Sequence, residues 1–196
     1  MVNAERGQTL GTLGIAAAFG LVIMVVVAAT GHLSGAHLNP AVTLAFTLTR
    51  HFPGRDALGY VPAQLAGAVA GAGLLRLAWH GTPAQLGATQ PSVGSGPAVL
   101  YEVMLTAILM LAIMAVATDT RAVGSAAAVT IGAAVGLDAL FGGPVTGASM
   151  NPARSFGPAL VAWEWSRFWI YVIAPVIGAI LGALTYQLLR DESTPA

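Results

Sequence analysis

Hydrophobic and polar positions alternate along this chain on the scale of whole helices rather than of single residues. No Asp, Glu, Lys or Arg occurs from Gly7 to Thr49, from Ala57 to Leu75, or from Phe168 to Leu189. A helix crosses a bilayer with roughly 20 apolar residues, so the pattern predicts five spanning helices, at about 12–30, 57–79, 98–117, 122–140 and 167–189. Two further apolar segments, about 40–49 and 152–162, are half as long. At 1.5 Å per residue each reaches roughly 15 Å, half of a bilayer. Polar or Gly/Pro-rich breaks separate these elements: Arg50-His51-Phe52-Pro53-Gly54-Arg55-Asp56, His80 to Pro97, Asp119-Thr120-Arg121, and Trp163 to Arg167. The tail after Arg190 is polar and expected to fray. The expected fold class is an all-α membrane protein with five spans and two half-helices that re-enter from either face.

Both half-length segments open on the same ten-residue pattern. Ser34-Gly35-Ala36-His37-Leu38-Asn39-Pro40-Ala41-Val42-Thr43 and Thr146-Gly147-Ala148-Ser149-Met150-Asn151-Pro152-Ala153-Arg154-Ser155 lie 112 residues apart. In each, an Asn stands where a helix is capped and a Pro at the first helical position. Irregular backbone at membrane depth is tolerated only where it lines a watery cavity or packs inside protein, so the paired loops point to a pore or a transport site. The repeat extends to Tyr60-Val61-x-Ala63-x-x-Gly67-Ala68-x-x-Gly71-Ala72 and Tyr171-Val172-x-Ala174-x-x-Gly178-Ala179-x-x-Gly182-Ala183, at an offset of 111. Three spanning crossings separate the two motifs. An odd number inverts the halves, and the half-helices can then meet end to end with their positive dipole ends at the centre. By this symmetry one domain covers 1–196: residues 1–79 form a first repeat without its first helix, and 98–189 a second repeat. The Gly67/Gly71 and Gly178/Gly182 pairs are expected to allow close helix packing inside one protomer.

Composition narrows the chemistry. The chain is 56% hydrophobic and 8% charged, with zero net charge and no cysteine, against about 25% charged for an ordinary soluble domain. Nothing suggests nucleic-acid binding, and disulfides and thiolate metal sites are excluded. His32, His37, His51 and His80 have no metal-ligand spacing, so neither metal nor cofactor is expected. No nucleophile–base pair falls within the spans, which argues against an enzyme. The apolar run 13–30 is too long for the core of a signal peptide. All eight basic residues are Arg, a usage that points to a GC-rich bacterial genome.

The pair Asn39-Pro40-Ala41 and Asn151-Pro152-Ala153, with Arg154 after the second, resembles the aquaporin (major intrinsic protein) family, of a bacterial water-channel type. The resemblance runs from Gly14 to about Leu189 and implies a pore in each protomer of a homotetramer, multi-pass in the inner or plasma membrane. It implies that Asn39 and Asn151 donate side-chain N–H groups to passing water, with backbone carbonyls of Gly35, Ala36, His37, Gly147, Ala148 and Ser149 as acceptors. It also implies an outer constriction built from Phe19, Ala139, Ala148 and Arg154, carried over by spacing from the two Asn residues. Ala139 departs from the His of strict water channels, and two alanines make a wider, less polar opening. Ser155, Ala159 and Tyr171 resemble the water branch rather than the glycerol branch. Glu102, five residues into its helix, is implied to brace a half-helix loop. Asp138, beside Ala139, is open between bracing a loop and simple exposure. The family topology puts loops 50–56 and 118–121 and the C-terminus in the cytoplasm. Arg50, Arg55, Arg121 and Arg190 then lie inside and Arg6, Arg76 and Arg167 outside. The expected function is a passive water channel that excludes protons and ions and leaks small neutral solutes. The alternatives are a glycerol or small-solute facilitator, a non-conducting membrane protein, and a secondary transporter.

Overall fold

A computed structural model of the chain describes residues 7–80, 82–122 and 126–190. Arg6 and the polar tail lie outside the described residues. Seven α-helices occur among them, with no strand: α1 (Gly11–Ser34), α2 (Pro40–Leu48), α3 (Gly54–Ala78), α4 (Ser95–Ala117), α5 (Ala127–Thr146), α6 (Pro152–Ala162) and α7 (Ile170–Leu189), plus a short left-handed turn at Pro83–Gly87. Five are long and apolar enough to cross a membrane: α1, α3, α4, α5 and α7. The short helices α2 and α6 have 9 and 11 residues, roughly 14 and 16 Å of rise.

The half-helices start where local chemistry dictates. Asn39 is extended at φ −144°, and its side-chain oxygen accepts the Ala41 N–H at 2.9 Å. Asn151 does the same at φ −150°, accepting from Ala153 at 2.9 Å and Arg154 at 3.3 Å. Each cap satisfies donors that the helix itself leaves orphaned, and the following Pro has no N–H to satisfy. Upstream, α1 and α5 end on Gly35 and Gly147 at φ +72° and +85°, whose N–H groups bond back to the Gly31 and Gly143 carbonyls.

Helix α5 differs most from expectation. It runs to Thr146, six residues beyond the predicted end, because Pro144 sits within its last turn without ending it. Proline breaks a helix chiefly by removing one hydrogen bond and crowding the preceding turn. Here the Gly147 cap closes the helix immediately afterwards. Asp138 is therefore in the helix interior rather than near its end.

The two halves interlock. The most extensive contacts pair α4 with α7 and α1 with α5, and α3 and α2 pack against α6 and α7 respectively. Helices α1 and α5 cross at Gly20 and Gly132, equivalent positions 112 apart. A Cβ on Gly132 would sit 2.6 Å from the Gly20 carbonyl oxygen, and one on Gly20 would sit 2.7 Å from that of Gly132. The expectation for Gly178 and Gly182 also holds: added Cβ atoms would strike the Val103 and Ala107 carbonyls of α4. It fails for the first pair. Among the described residues no other segment lies within 4 Å of where a Cβ on Gly67 or Gly71 would be.

Candidate functional site

The half-helices meet through their capping residues. Asn39 Nδ2 donates to the Met150 carbonyl at 2.6 Å, and Asn151 Nδ2 donates to the Leu38 carbonyl at 2.9 Å. Leu38 and Met150 are equivalent in the repeat, so the two bonds are mates across an internal two-fold. Each Asn thus uses its oxygen on its own helix and one amide N–H on the opposite loop. An amide has two such hydrogens, which leaves one on each Asn for the cavity that both line. Pro40, Ala41, Pro152 and Ala153 are buried against this junction.

Side chains from neighbouring helices fix the loops. Glu102 of α4 is fully buried and accepts from the Thr146 hydroxyl at 2.6 Å, the Ser149 N–H at 2.9 Å and the Met150 N–H at 2.8 Å. Burying a carboxylate is costly unless it is well hydrogen-bonded, and here three donors converge on it. Tyr171 donates to the Thr146 carbonyl at 2.6 Å, and its repeat mate Tyr60 donates to the Ser34 carbonyl at 3.0 Å. In the first half Gln64 of α3 donates to the His37 carbonyl at 2.5 Å and the Thr43 hydroxyl at 2.9 Å. Gln64 escapes a reading by repeats because its counterpart is Pro175, so no internal match singles it out.

Around the junction is a cavity of about 1080 Å³. Phe19, Ala139, Ala148 and Arg154, assembled from four separate segments, all line it. The Arg154 guanidinium carbon stands 5.4 Å from the centre of the Phe19 ring, and Nη1 donates to the Gly87 carbonyl at 2.8 Å. Among the described residues no carboxylate pairs with Arg154, so its positive charge is uncompensated at close range. Of the six loop residues expected to present carbonyls, Ala36, His37, Ala148 and Ser149 line the cavity. Gly35 and Gly147 do not; they serve as the C-caps of α1 and α5. The His37 ring adds a feature missed in the sequence. It lies 5.0 Å from the Phe46 ring, 4.6 Å from Phe52 and 5.7 Å from Tyr60, an aromatic wall built partly by the 49–53 loop.

Asp138 fits neither reading open in the sequence. It is fully buried, so it is not exposed, and neither oxygen has a hydrogen-bond partner among the described residues, so it braces no loop. No cluster of three or more metal-ligating side chains occurs among those residues.

Two capped half-helices of opposite direction, joined at their N-termini inside a bundle of spanning helices, define a membrane channel of the double re-entrant type. The family profile described as Major intrinsic protein matches residues 1–186. The chain is 45% identical to Aquaporin NIP1-1 of Zea mays, over 99% of its own length and 69% of that protein's. It is 49% identical to Nodulin-26 of Glycine max, over 100% of its own length and 72% of that protein's. The X-ray structure of the aquaglyceroporin from Plasmodium falciparum superposes with a TM-score of 0.78 at 26% identity, covering 90% of this chain and 81% of that one. The chain belongs to the major intrinsic protein family, the family of the aquaporins, whose members are channels rather than enzymes. Neither the expected bacterial type nor the expected loss of a first helix finds support here: these sequence relatives are plant proteins, and they match along 99% and 100% of this chain.

Proposed function

We propose that this protein is a passive channel for water and other small neutral solutes that rejects protons and other ions. The observation that carries the reading is the reciprocal Asn39–Met150 and Asn151–Leu38 bonding. It holds two helix N-termini together beside the cavity, where their dipoles make the centre positive and repel cations without impeding neutral solute. Arg154, unpaired and lining the same cavity, adds a second barrier of the same sign. Passage of solutes larger than water is favoured by Ala139 and Ala148, which leave Phe19 and Arg154 as the bulky members of the constriction. The similarity to a protein described as an aquaglyceroporin favours the same breadth. The reading extends to a homotetramer in a cell membrane, with loops 50–56 and 118–121 and the C-terminus on the cytoplasmic side.

The test is reconstitution of the full chain in liposomes. Osmotic shrinkage is expected to be faster than in empty vesicles, with a low activation energy and no proton current by an internal pH dye. Uptake of glycerol or hydrogen peroxide is expected above background. Water permeability equal to that of empty vesicles, from correctly inserted protein, overturns the reading.

A further inference from the structure

The four tryptophans of the chain are Trp79, Trp163, Trp165 and Trp169, and all four stand on one face of the bundle. Trp79 closes α3, Trp163 closes α6, and Trp169 precedes α7. Arg76 Nη1 donates to the Val161 carbonyl at 3.0 Å, which ties the last turn of α3 to the last turn of α6. The Trp165 ring lies 6.0 Å from that of Trp163. None of the four falls at the opposite face, where Gln187 and Arg190 reach the Thr49 and Thr118 carbonyls. Depth follows from α6. It starts at the central junction and rises roughly 16 Å, about half of a hydrocarbon core of roughly 30 Å, so its end reaches the headgroup layer. Tryptophan favours that layer, and Trp163 is 76% exposed there. A cation stands among these side chains. Arg76 is exposed on α3, about one helical turn before Trp79 and next to Leu77, itself 74% exposed. Of its five N–H donors one goes to Val161, and among the described residues no carboxylate pairs with it.

We propose that Arg76, Leu77, Trp79 and Trp163 form a phospholipid site on this face, in which the guanidinium bridges a lipid phosphate and the C-terminal end of α6. The chemistry is complementary in both parts: the phosphate meets a cation with donors to give, and the upper acyl chain meets the leucine and the two indoles. Val161 belongs to the last turn of α6, whose carbonyls have no partner within the helix, and a cation there also suits the helix dipole. The lipid thereby joins the clamp on the half-helix that carries Arg154. The site is a property of the membrane face and stands whether or not the chain conducts.

Because every tryptophan is on this face, emission reports on it alone. The full chain in neutral-detergent micelles is titrated with phosphatidylglycerol brominated on its acyl chains, and quenching is followed. Saturable quenching is expected. Arg76→Gln should move the half-point about fivefold to higher lipid, the factor for one arginine at an anionic lipid surface. Arg76→Lys keeps the charge and should stay within about twofold. Inorganic phosphate at the same concentrations is expected to leave the half-point unmoved; competition by it would mark a free-anion site and overturn the lipid assignment. Thermal unfolding separates the lipid contact from the Val161 bond. Added phosphatidylglycerol should raise the midpoint of the unmodified chain and of Arg76→Lys but not that of Arg76→Gln, whatever the midpoint of each without lipid. In phosphatidylcholine vesicles, bromine near the glycerol end of the chains should quench the unmodified protein more than bromine near the methyl end. Equal half-points for the unmodified chain and Arg76→Gln overturn the proposal. So does stronger quenching from the methyl end, a result that decides the matter even where Arg76→Gln does not fold.

Discussion

Glu102 and Ala139 carry opposite kinds of information about the pore, one through what it holds and the other through what it leaves out. Glu102→Gln replaces one acceptor oxygen by an NH₂ group that must face a donor, leaving at least one buried N–H or O–H unpaired. That costs about 1–3 kcal/mol. A lower unfolding midpoint in detergent is expected, with a larger drop for Glu102→Leu, which strands all three donors; equal midpoints would remove the bracing role. Ala139→His should narrow the constriction and cut glycerol flux roughly tenfold, the scale of discrimination that a small steric change gives in a tight site. Water flux should fall less, as paired stopped-flow measurements on one preparation would read. That Phe19, Ala139, Ala148 and Arg154 face one cavity was legible through the family resemblance, which carries the proposed constriction over at set distances from the motif Asn residues. Gln64 and Gly87 were not. Gln64 has no match in the repeat, and Gly87 acts through a carbonyl, a group that every residue possesses and that only the backbone path makes special.

Among the elements, the sequence located all seven helices, since charge-free runs and capping Asn-Pro pairs are strong local signals. Boundaries followed less well where one residue has two meanings. The predicted end at 140 stops short of Pro144, but a proline in a last turn forfeits little when a left-handed glycine closes the helix three residues later. Whether two helices touch was harder still: Gly178 and Gly67 share one motif, yet among the described residues only the former meets a neighbour. The crossing of α1 with α5 gives a direct test. A Cβ on Gly132 meets backbone at 2.6 Å, and backbone cannot rotate away as a side chain can. Gly132→Ala should force the helices apart at a cost of about 1–3 kcal/mol. Gly73→Ala, at a position with no neighbour from another segment within 4 Å among the described residues, should be neutral or stabilising, by up to about 1 kcal/mol through helix propensity. The unfolding midpoints of the two variants should differ in sign; equal midpoints would mean that the crossing is not tight.

At the scale of the whole molecule, one polar cluster ties the chain between α4 and α5 to the end of α7. Asp119 accepts from Arg121 at 2.9 and 2.7 Å and from the Tyr186 hydroxyl at 2.7 Å. Gln187 and Arg190 reach the Thr49 and Thr118 carbonyls, both at 3.4 Å. The Arg121 guanidinium, helped by Tyr186, holds the Asp119 carboxyl far below the ordinary carboxylate range. A group whose folded value is depressed contributes stability in full above its unfolded value, about 4 for Asp. That contribution is lost as the pH falls through the folded value. Asp119→Asn should therefore lower the unfolding midpoint at neutral pH, and the gap from the unmodified protein should close on acidification below about pH 4. A gap that stays constant from pH 7 downward would show that the charge of Asp119 is not what stabilises the cluster.

The reciprocal Asn bonds also impose a schedule on synthesis. Asn39 waits for Met150, 111 residues downstream, and Leu38 waits for Asn151, 113 downstream. At translation speeds of roughly 5–20 residues per second the wait lasts about 6–22 s. Throughout that interval the first loop cannot make its bonds to the second, and bare lipid would penalise its open backbone. The first half must be sheltered by the insertion machinery, or linger at the membrane surface, until the second half arrives. A ribosomal pause anywhere between Thr49 and Met150 lengthens that exposure, so slow codons in the middle of the gene are expected to lower the share of product that reaches its pore-forming state.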